Sequence, residues 1–291
     1  MPFHPFSRVT IVGVGLIGGS LGLALKRRGL AKEVVGVGWR ESTLNLARRR
    51  GAIDRWSLDI REGVRGADLV VLATRIELMA DLVRRARPAL ATGCLLTDVG
   101  STKNALVREM ERIVPAGTVF VGSHPVAGSE KRGVAAAHPG LFEGACCIVT
   151  PTRRTPRHAL RRVEGLWRAL GGRVRRLAPC VHDRILARAS HLPHLAAAGV
   201  VRRLPPEAEP FVATGFRDTT RVAEGDPEVW TDVCLSNRRE IVNALVALDR
   251  EIRRMAAAIR RGDRRAVLGF LGEAAERRRR IIRRIFGPRE K

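Results

Sequence analysis

The chain has 291 residues, enough for one large domain or two ordinary ones, and 45% of them are hydrophobic, enough for a full core. Its five cysteines (Cys94, Cys146, Cys147, Cys180, Cys234) form no CxxC and no pairing pattern, which argues against a disulfide scaffold or a cysteine-bound metal and for reduced thiols in a cytoplasm. The formal net charge of +24 suggests nucleic acid, but only five of the 53 basic residues are lysine and the arginines are spread along most of the chain, which is a compositional bias and not a recognition patch. The run "RRRRIIRR" (277–284) interrupts its charges at helical spacing and reads as a solvated helix face. It predicts non-specific attraction to polyanions at low salt, with no specific nucleic-acid partner.

The uncharged stretch "VTIVGVGLIGGSLGLAL" (9–25) would attract attention on a hydropathy plot. It is dense in glycine for a spanning helix, lies at the short end of spanning length, and has no evident cleavage site before Lys26. It divides better into a β-branched strand, Val9 to Val12, and a helix from Leu16 to Arg28 ended by Gly29. Between them stand Gly13, Gly15 and Gly18, the GxGxxG spacing of a dinucleotide-binding turn. The three glycines allow a tight turn, close approach of a pyrophosphate, and close helix–strand packing. Phosphates would sit on the helix N-terminus, beside Gly15, Leu16 and Ile17.

Strand and helix then alternate. Residues 33–38 predict a strand, 42–50 a helix capped by Ser42 and closed by Gly51, and 68–74 the continuous apolar strand of a sheet buried on both faces. Residues 76–87 predict a helix, 94–99 a strand, 101–114 a helix, 118–123 and 145–150 strands, 157–171 a helix and 173–178 a last strand. Short links of this kind imply a Rossmann-type, doubly wound α/β sheet over residues 1–178. Past residue 178 the strands stop, and 182–204, 227–262 and 263–286 have helical periodicity. Residues 179–291 therefore predict an all-α domain, and its long apolar second helix predicts burial against another copy of the chain, a homodimer.

The second strand ends "VVGVGWREST". In NAD-binding folds an acidic residue about 20 positions after the glycines takes the ribose hydroxyls. Gly38 occupies that position here, followed by Trp39 and Arg40. A missing carboxylate with an arginine close behind suits a 2′-phosphate, held by Arg40 with the hydroxyl of Ser42 or Thr43 and with Trp39 along the adenine edge. NADP is favoured over NAD, with Glu41 the challenger as a ribose ligand.

Three further stretches carry chemistry: "DVGSTK" (98–103), "GSHPVAGSEKRG" (122–133) and "SHLPH" (190–194), followed by "TGFRDTTRVAEGDPEVW" (214–230). His124 follows a strand, at the sheet edge where ligands bind, and an imidazole accepts a proton at neutral pH. Ser101 stands where it could cap the next helix. Arg221 offers a guanidinium fork for a carboxylate. His191 and His194 share one side of a helix, but no third ligand or nearby acid supports a metal site.

Taken in order with "GVGLIGGSLG", these stretches resemble the prephenate/arogenate (cyclohexadienyl) dehydrogenase family of tyrosine biosynthesis, from about residue 8 to at least 260. The resemblance implies an NAD(P)-dependent oxidoreductase. It removes hydride from the ring carbon bearing the hydroxyl, takes the hydroxyl proton, and releases the ring carboxylate as CO2. It places the catalytic histidine on His124 and a supporting hydroxyl on Ser101, bonded to that histidine. It places substrate contacts on Arg221 and His194, with His191 supporting the pocket and Glu130 and Trp230 at its mouth. Thr74 joins the cofactor set of Gly13, Gly15, Leu16, Ile17, Gly18, Arg40, Ser42 and Thr43. Asp98 and Lys103 are left as structural or charge-tuning groups and Asp218 as a brace of its loop. The chain ends soon after its last helix, so no appended regulatory domain is expected, and no residue distinguishes prephenate from arogenate. The rivals are another NADP-dependent dehydrogenase on the same scaffold and a non-catalytic NADP- or polyanion-binding protein.

Overall fold

In the computed structural model, which describes residues 3–128 and 131–286, the uncharged N-terminal stretch divides at its glycines. Strand β1 (Phe6–Val12) runs into the turn at Gly13, and helix α1 (Leu16–Arg27) starts from Gly15. Among the described residues no helix is long and apolar enough to cross a membrane. The chain continues through β2 (Ala31–Val37), α2 (Glu41–Arg49), β3 (Arg55–Ser57), α3 (Ile60–Val64), β4 (Leu69–Leu72) and α4 (Ile76–Ala86). It goes on through β5 (Leu95–Asp98), α5 (Asn104–Ile113), β6 (Val119–Val126), β7 (Cys146–Thr150), α6 (Arg157–Ala169) and β8 (Arg173–Arg176).

The strands form one sheet in the order β3-β2-β1-β4-β5-β6-β7-β8, so the winding reverses between β1 and β4. Both faces are covered, as the continuous apolar strands require. Val9, Ile11, Leu69 and Val71 pack with Leu21 and Leu25 of α1 and Val163 and Trp167 of α6. Their strand neighbours Val12, Val70 and Leu72 point the other way, onto Val64, Met79 and Val107.

The parallel pattern holds among β1 to β6 and is interrupted there. β7 pairs antiparallel with β6, although the strand–helix alternation predicts a doubly wound sheet, and β8 then pairs parallel with β7. Among the described residues of that link only a 3-10 turn (Val134–Ala136) forms, and a parallel return needs a crossover helix. β3 and α3 are not predicted at all, because elements of 3 and 5 residues show no period. The predicted cap of α2 also differs. The helix starts at Glu41, with Arg40 as N-cap and no side-chain bond there, so Ser42 lies inside the first turn.

The helical part is more broken than its periodicity suggests. The helix predicted over 182–204 becomes α7 (Pro179–Leu186), a π-turn (Ala187–His191) and α8 (Leu192–Arg203). Pro193 at the start of α8 has no N–H to continue the ladder, which is where a π-turn relieves the mismatch. α9 (Thr214–Thr220) leads into a 3-10 turn (Arg221–Glu224). The helix predicted over 227–262 is split into α10 (Pro227–Ser236) and α11 (Arg238–Arg260), and α12 (Arg264–Phe286) follows. The break is at Asn237, whose side chain is drawn off to the Asp183 carbonyl at 2.9 Å. Compact units comprise residues 1–241 and 242–291. In the second, Val242, Ile252, Ile259, Leu268 and Leu271 are exposed apolar residues.

One polar contact lies inside the sheet domain. Lys103 and Asp98 form an ion pair with both side chains fully buried. Asp98 also accepts from the Ser123 N–H at 3.0 Å and the Gly100 N–H at 2.8 Å. Lys103→Met should leave that carboxylate buried and uncompensated, at a cost of about 3–5 kcal/mol. Urea unfolding of the variant measures it, and a loss under about 1 kcal/mol would show that the two amides alone satisfy Asp98.

Candidate active site

A cavity of about 420 Å³ opens at the carboxyl ends of β1, β2, β4 and β5, across the point where the winding reverses. This is where ligands bind in open α/β sheets. Its wall includes Gly13, Gly15, Leu16, Ile17, Arg40, Thr43, Thr74 and Ser101. Gly18 and Ser42 are not in the wall. Each glycine can be assigned a reason. Gly13 has φ +97°, and a Cβ there would press on the Ala73 carbonyl at 2.6 Å. Gly15 has open space where a Cβ would be, and a Cβ on Gly18 would overlap the Gly13 carbonyl. Gly15 thus leaves room for a phosphate, while Gly18 lets α1 lie against the turn. The N-terminus of α1 has no side-chain cap and no acidic residue in its first turn, so its free N–H groups suit an anion.

At the β2 end of the cavity, Gly38, Trp39, Arg40 and Thr43 form the wall and Glu41 does not. The Glu41 carboxylate instead accepts from Asn45 along its own helix, at 3.3 Å. Trp39 and Arg40 are exposed at the rim. These residues fit the adenosine end of a dinucleotide, with Arg40 at its rim.

His124 lies within β6, paired with Ile148, and not after the strand as predicted. It is buried, and its Nδ1 stands 2.9 Å from His182 Nε2. His182 Nδ1 is 2.8 Å from Asp183 Oδ1. Asp183 also accepts from the Lys103 N–H at 2.7 Å and the Asn104 N–H at 2.8 Å. This line of contacts assigns the protons. The carboxylate only accepts, so His182 Nδ1 must donate. A neutral His182 then accepts at Nε2, so His124 Nδ1 donates and His124 Nε2 keeps a lone pair. Burial, with the neighbouring His182 ring and the Lys103 cation adding to it, pushes the His124 pKa well below its ordinary 6.5. His182 is also pushed down by burial, against the pull of Asp183. A neutral imidazole with a free Nε2 is a base ready to accept a proton.

Asp183 displaces Ser101 from its predicted capping role. The first N–H groups of α5 are taken by this carboxylate from α7, and Ser101 lines the cavity instead. Among the described residues the bond predicted from Ser101 to His124 is absent, and the His124 contact is the one from Nδ1 to His182. His194 stacks on Trp230 with ring centroids 3.5 Å apart and planes 11° apart. His191 meets the same ring edge-on, and its Nδ1 faces the Asn237 amide at 3.3 Å. The Asn237 amide donates, so the His191 proton sits on Nε2, which is buried with no hydrogen-bond partner among the described residues. Arg221 begins the exposed 3-10 turn whose Val222 backbone lies beside His194. Glu130 lies outside the described residues. Asp218 pairs with Arg217 at 3.1 Å, both exposed.

Three residues of this region carry no motif in the sequence. His182 and Asp183 are legible only as an adjacent His-Asp pair opening a helix, and Asn237 as an amide in a helix that should not break. Asp232 and Arg75 also enter the cavity wall, from α10 and the loop after β4. Burial, then the neighbouring Glu77 carboxyl, holds Asp232 above the usual carboxylate range, with Arg75 opposing.

Residues 21–176 match the family described as prephenate dehydrogenase, nucleotide-binding domain, and residues 178–273 the one described as prephenate dehydrogenase, dimerization domain. The chain is 33% identical to the prephenate dehydrogenase of Bacillus subtilis, over 93% of this chain and 75% of that protein. It superposes on the crystal structure of Aquifex aeolicus prephenate dehydrogenase in complex with hydroxyphenyl propionate and NAD+. That match has a TM-score of 0.88 and 31% identity, covering 94% of this chain and 98% of the other. Synechocystis arogenate dehydrogenase matches with a TM-score of 0.80 and 28% identity, over 94% and 99% of the two chains.

The buried histidines make stability depend on pH. Burial pushes the His191 pKa from 6.5 down to about 4. The folded state thus holds it neutral while the unfolded chain protonates it below pH 6.5. Its contribution is whole above pH 6.5 and is lost as the pH falls toward 4, by up to about 1.4 kcal/mol per pH unit. His124, His182 and His194 are shifted in the same direction. Urea unfolding at stepped pH values should show this decline. Constant stability between pH 7 and 4.5 would contradict it.

Proposed function

The chain belongs to the prephenate dehydrogenase family, and from that premise we propose the part each residue takes in an NAD(P)-dependent oxidative decarboxylation of prephenate or arogenate. The observation that carries the reading is the proton order along Asp183, His182 and His124, which leaves His124 Nε2 unprotonated. His124 accepts the proton of the substrate hydroxyl as hydride leaves the same carbon and the ring carboxylate departs as CO2. A bound nicotinamide supplies the hydride acceptor. Ser101, in the cavity wall, holds the substrate hydroxyl near His124. Arg221 pairs with a substrate carboxylate, and the His194–Trp230 stack forms the wall beside it. His191 supports that stack.

Gly13, Gly15, Leu16 and Ile17 hold the pyrophosphate, Gly18 sets the approach of α1, and Thr74 borders the cofactor. NADP is preferred to NAD, since Arg40 is at the adenosine end and Glu41 is turned away. Arg40 binds the 2′-phosphate with the Thr43 or Ser42 hydroxyl. Residues 1–178 form the cofactor-binding part, and residues 179–291 the substrate-binding part, which joins two copies through the exposed apolar residues of α11 and α12. The five free cysteines fit a reducing cytoplasm.

Absorbance of the reduced cofactor, followed with NADP or NAD and with prephenate or arogenate, tests the whole reading. No signal with either substrate would defeat it. His124→Asn should lower kcat by about 10²–10⁴ while cofactor binding persists. Arg221→Ala should chiefly raise the substrate KM, by about tenfold or more. Arg40→Ser should raise the KM for NADP by about tenfold with little change for NAD, and an equal change for both would remove Arg40 from the 2′-phosphate.

A further inference from the structure

Asp232 stands on α10, yet the residue lines the cofactor cavity. The residue is only 9% exposed, and Oδ2 is buried with no hydrogen-bond partner among the described residues. Arg75 Nε, at 3.8 Å, is beyond hydrogen-bond reach. Arg75 directs its other nitrogens elsewhere, to Glu228 at 2.7 Å and to Glu77. The groups around Asp232 are therefore one shared guanidinium, the Glu77 carboxyl, which can hydrogen-bond it only when one of the two is protonated, and the Glu228 carboxyl. An ionised carboxylate with a buried, unpartnered oxygen is costly to maintain, and one on a residue that lines a binding cavity points to a donor that arrives with the ligand.

The order of strands indicates which part of the ligand that is. The adenosine end lies by Gly38, Trp39 and Arg40 after β2, and the phosphates lie by Gly13 and Gly15 after β1. The remaining half of a dinucleotide then extends over β4 and β5. There the wall is Thr74, Val99, Gly100 and Ser101, with Val229, Asp232 and Val233 of α10 opposite. A carboxylate repels a diphosphate but accepts from a hydroxyl or an amide N–H. The nicotinamide riboside half carries both donors, in its ribose hydroxyls and its carboxamide.

We infer that Asp232 completes the cofactor site from the helical part of the chain, accepting a hydrogen bond from the nicotinamide riboside half. The inference rests on the reading that this cavity takes NAD(P). It makes α10 part of the cofactor pocket as well as of the dimerisation region.

Equilibrium binding separates the possibilities. The dissociation constant of the preferred dinucleotide is measured by titration calorimetry. Its adenosine-side fragment, adenosine 2′,5′-bisphosphate for NADP or ADP for NAD, is measured in parallel. Asp232→Ala should weaken the dinucleotide by about tenfold and leave the fragment unchanged. Asp232→Asn should weaken it less, because the amide oxygen still accepts. The 3-acetylpyridine analogue lacks the carboxamide N–H. If Asp232→Ala spares that analogue, the donor is the carboxamide; if it weakens the analogue too, the donor is a ribose hydroxyl. Equal affinity of wild type and Asp232→Ala for the dinucleotide would overturn the inference and leave Asp232 facing the Glu77 carboxyl alone. Equal weakening of dinucleotide and fragment would also overturn it, showing that Asp232 holds the fold. A wild-type protein that bound neither dinucleotide would remove the cofactor reading itself.

Discussion

The Asp183 carboxylate is where the sheet domain and the helical part depend on each other. From α7 it caps α5, accepting from the Lys103 and Asn104 N–H groups, and its backbone carbonyl accepts from Asn237. Through His182 it orients His124 in β6. The cap also holds the Lys103 backbone in place, and the Lys103 side chain neutralises Asp98, which positions Ser123 next to His124. One buried carboxylate thus connects a helix terminus, an internal ion pair and the tautomer of the base. Each of its contacts limits where the others can be, since a buried carboxylate must have its acceptors filled.

The chain is strongly basic, and its active region handles that charge in two ways. Around His124 the protein keeps imidazoles neutral by burying them, with Lys103 adding to the effect. A buried histidine near a cation stays unprotonated, the state that the proposed role of His124 requires. Around the cofactor cavity, positive potential comes instead from the open N-terminus of α1 and from Arg40 at the rim, where phosphates would be received. At the other end of the same cavity the wall holds Asp232 and Arg75, and Arg75 also pairs with Glu77 and Glu228 outside that wall.

Much of this was legible in the residues. The GxGxxG turn, the alternation through β6, the missing carboxylate at Gly38 and the arginine at 40 are all local features, and spacing alone expresses them. His124 and Ser101 stood out by their place after strands, although His124 lies inside β6 and Ser101 caps nothing. The antiparallel turn to β7 was not legible, because pattern records burial and does not record strand direction. Nor were the breaks at Pro193 and Asn237, where periodicity runs straight through.

By itself, the sequence determined the class of fold, the presence of a dinucleotide turn and the residue types available for proton transfer and carboxylate binding. These follow from neighbours along the chain, through hydrophobic period and backbone freedom. Only the tertiary structure decided which atoms meet. His182 is 58 residues from His124, and Asp232 is far from every glycine of the turn, yet they share a proton line and a cavity. A hydrogen bond requires two atoms within about 3 Å, and separation in sequence does not specify that distance. The fold specifies it, by packing α7 against α5 and β7 and α10 against α4.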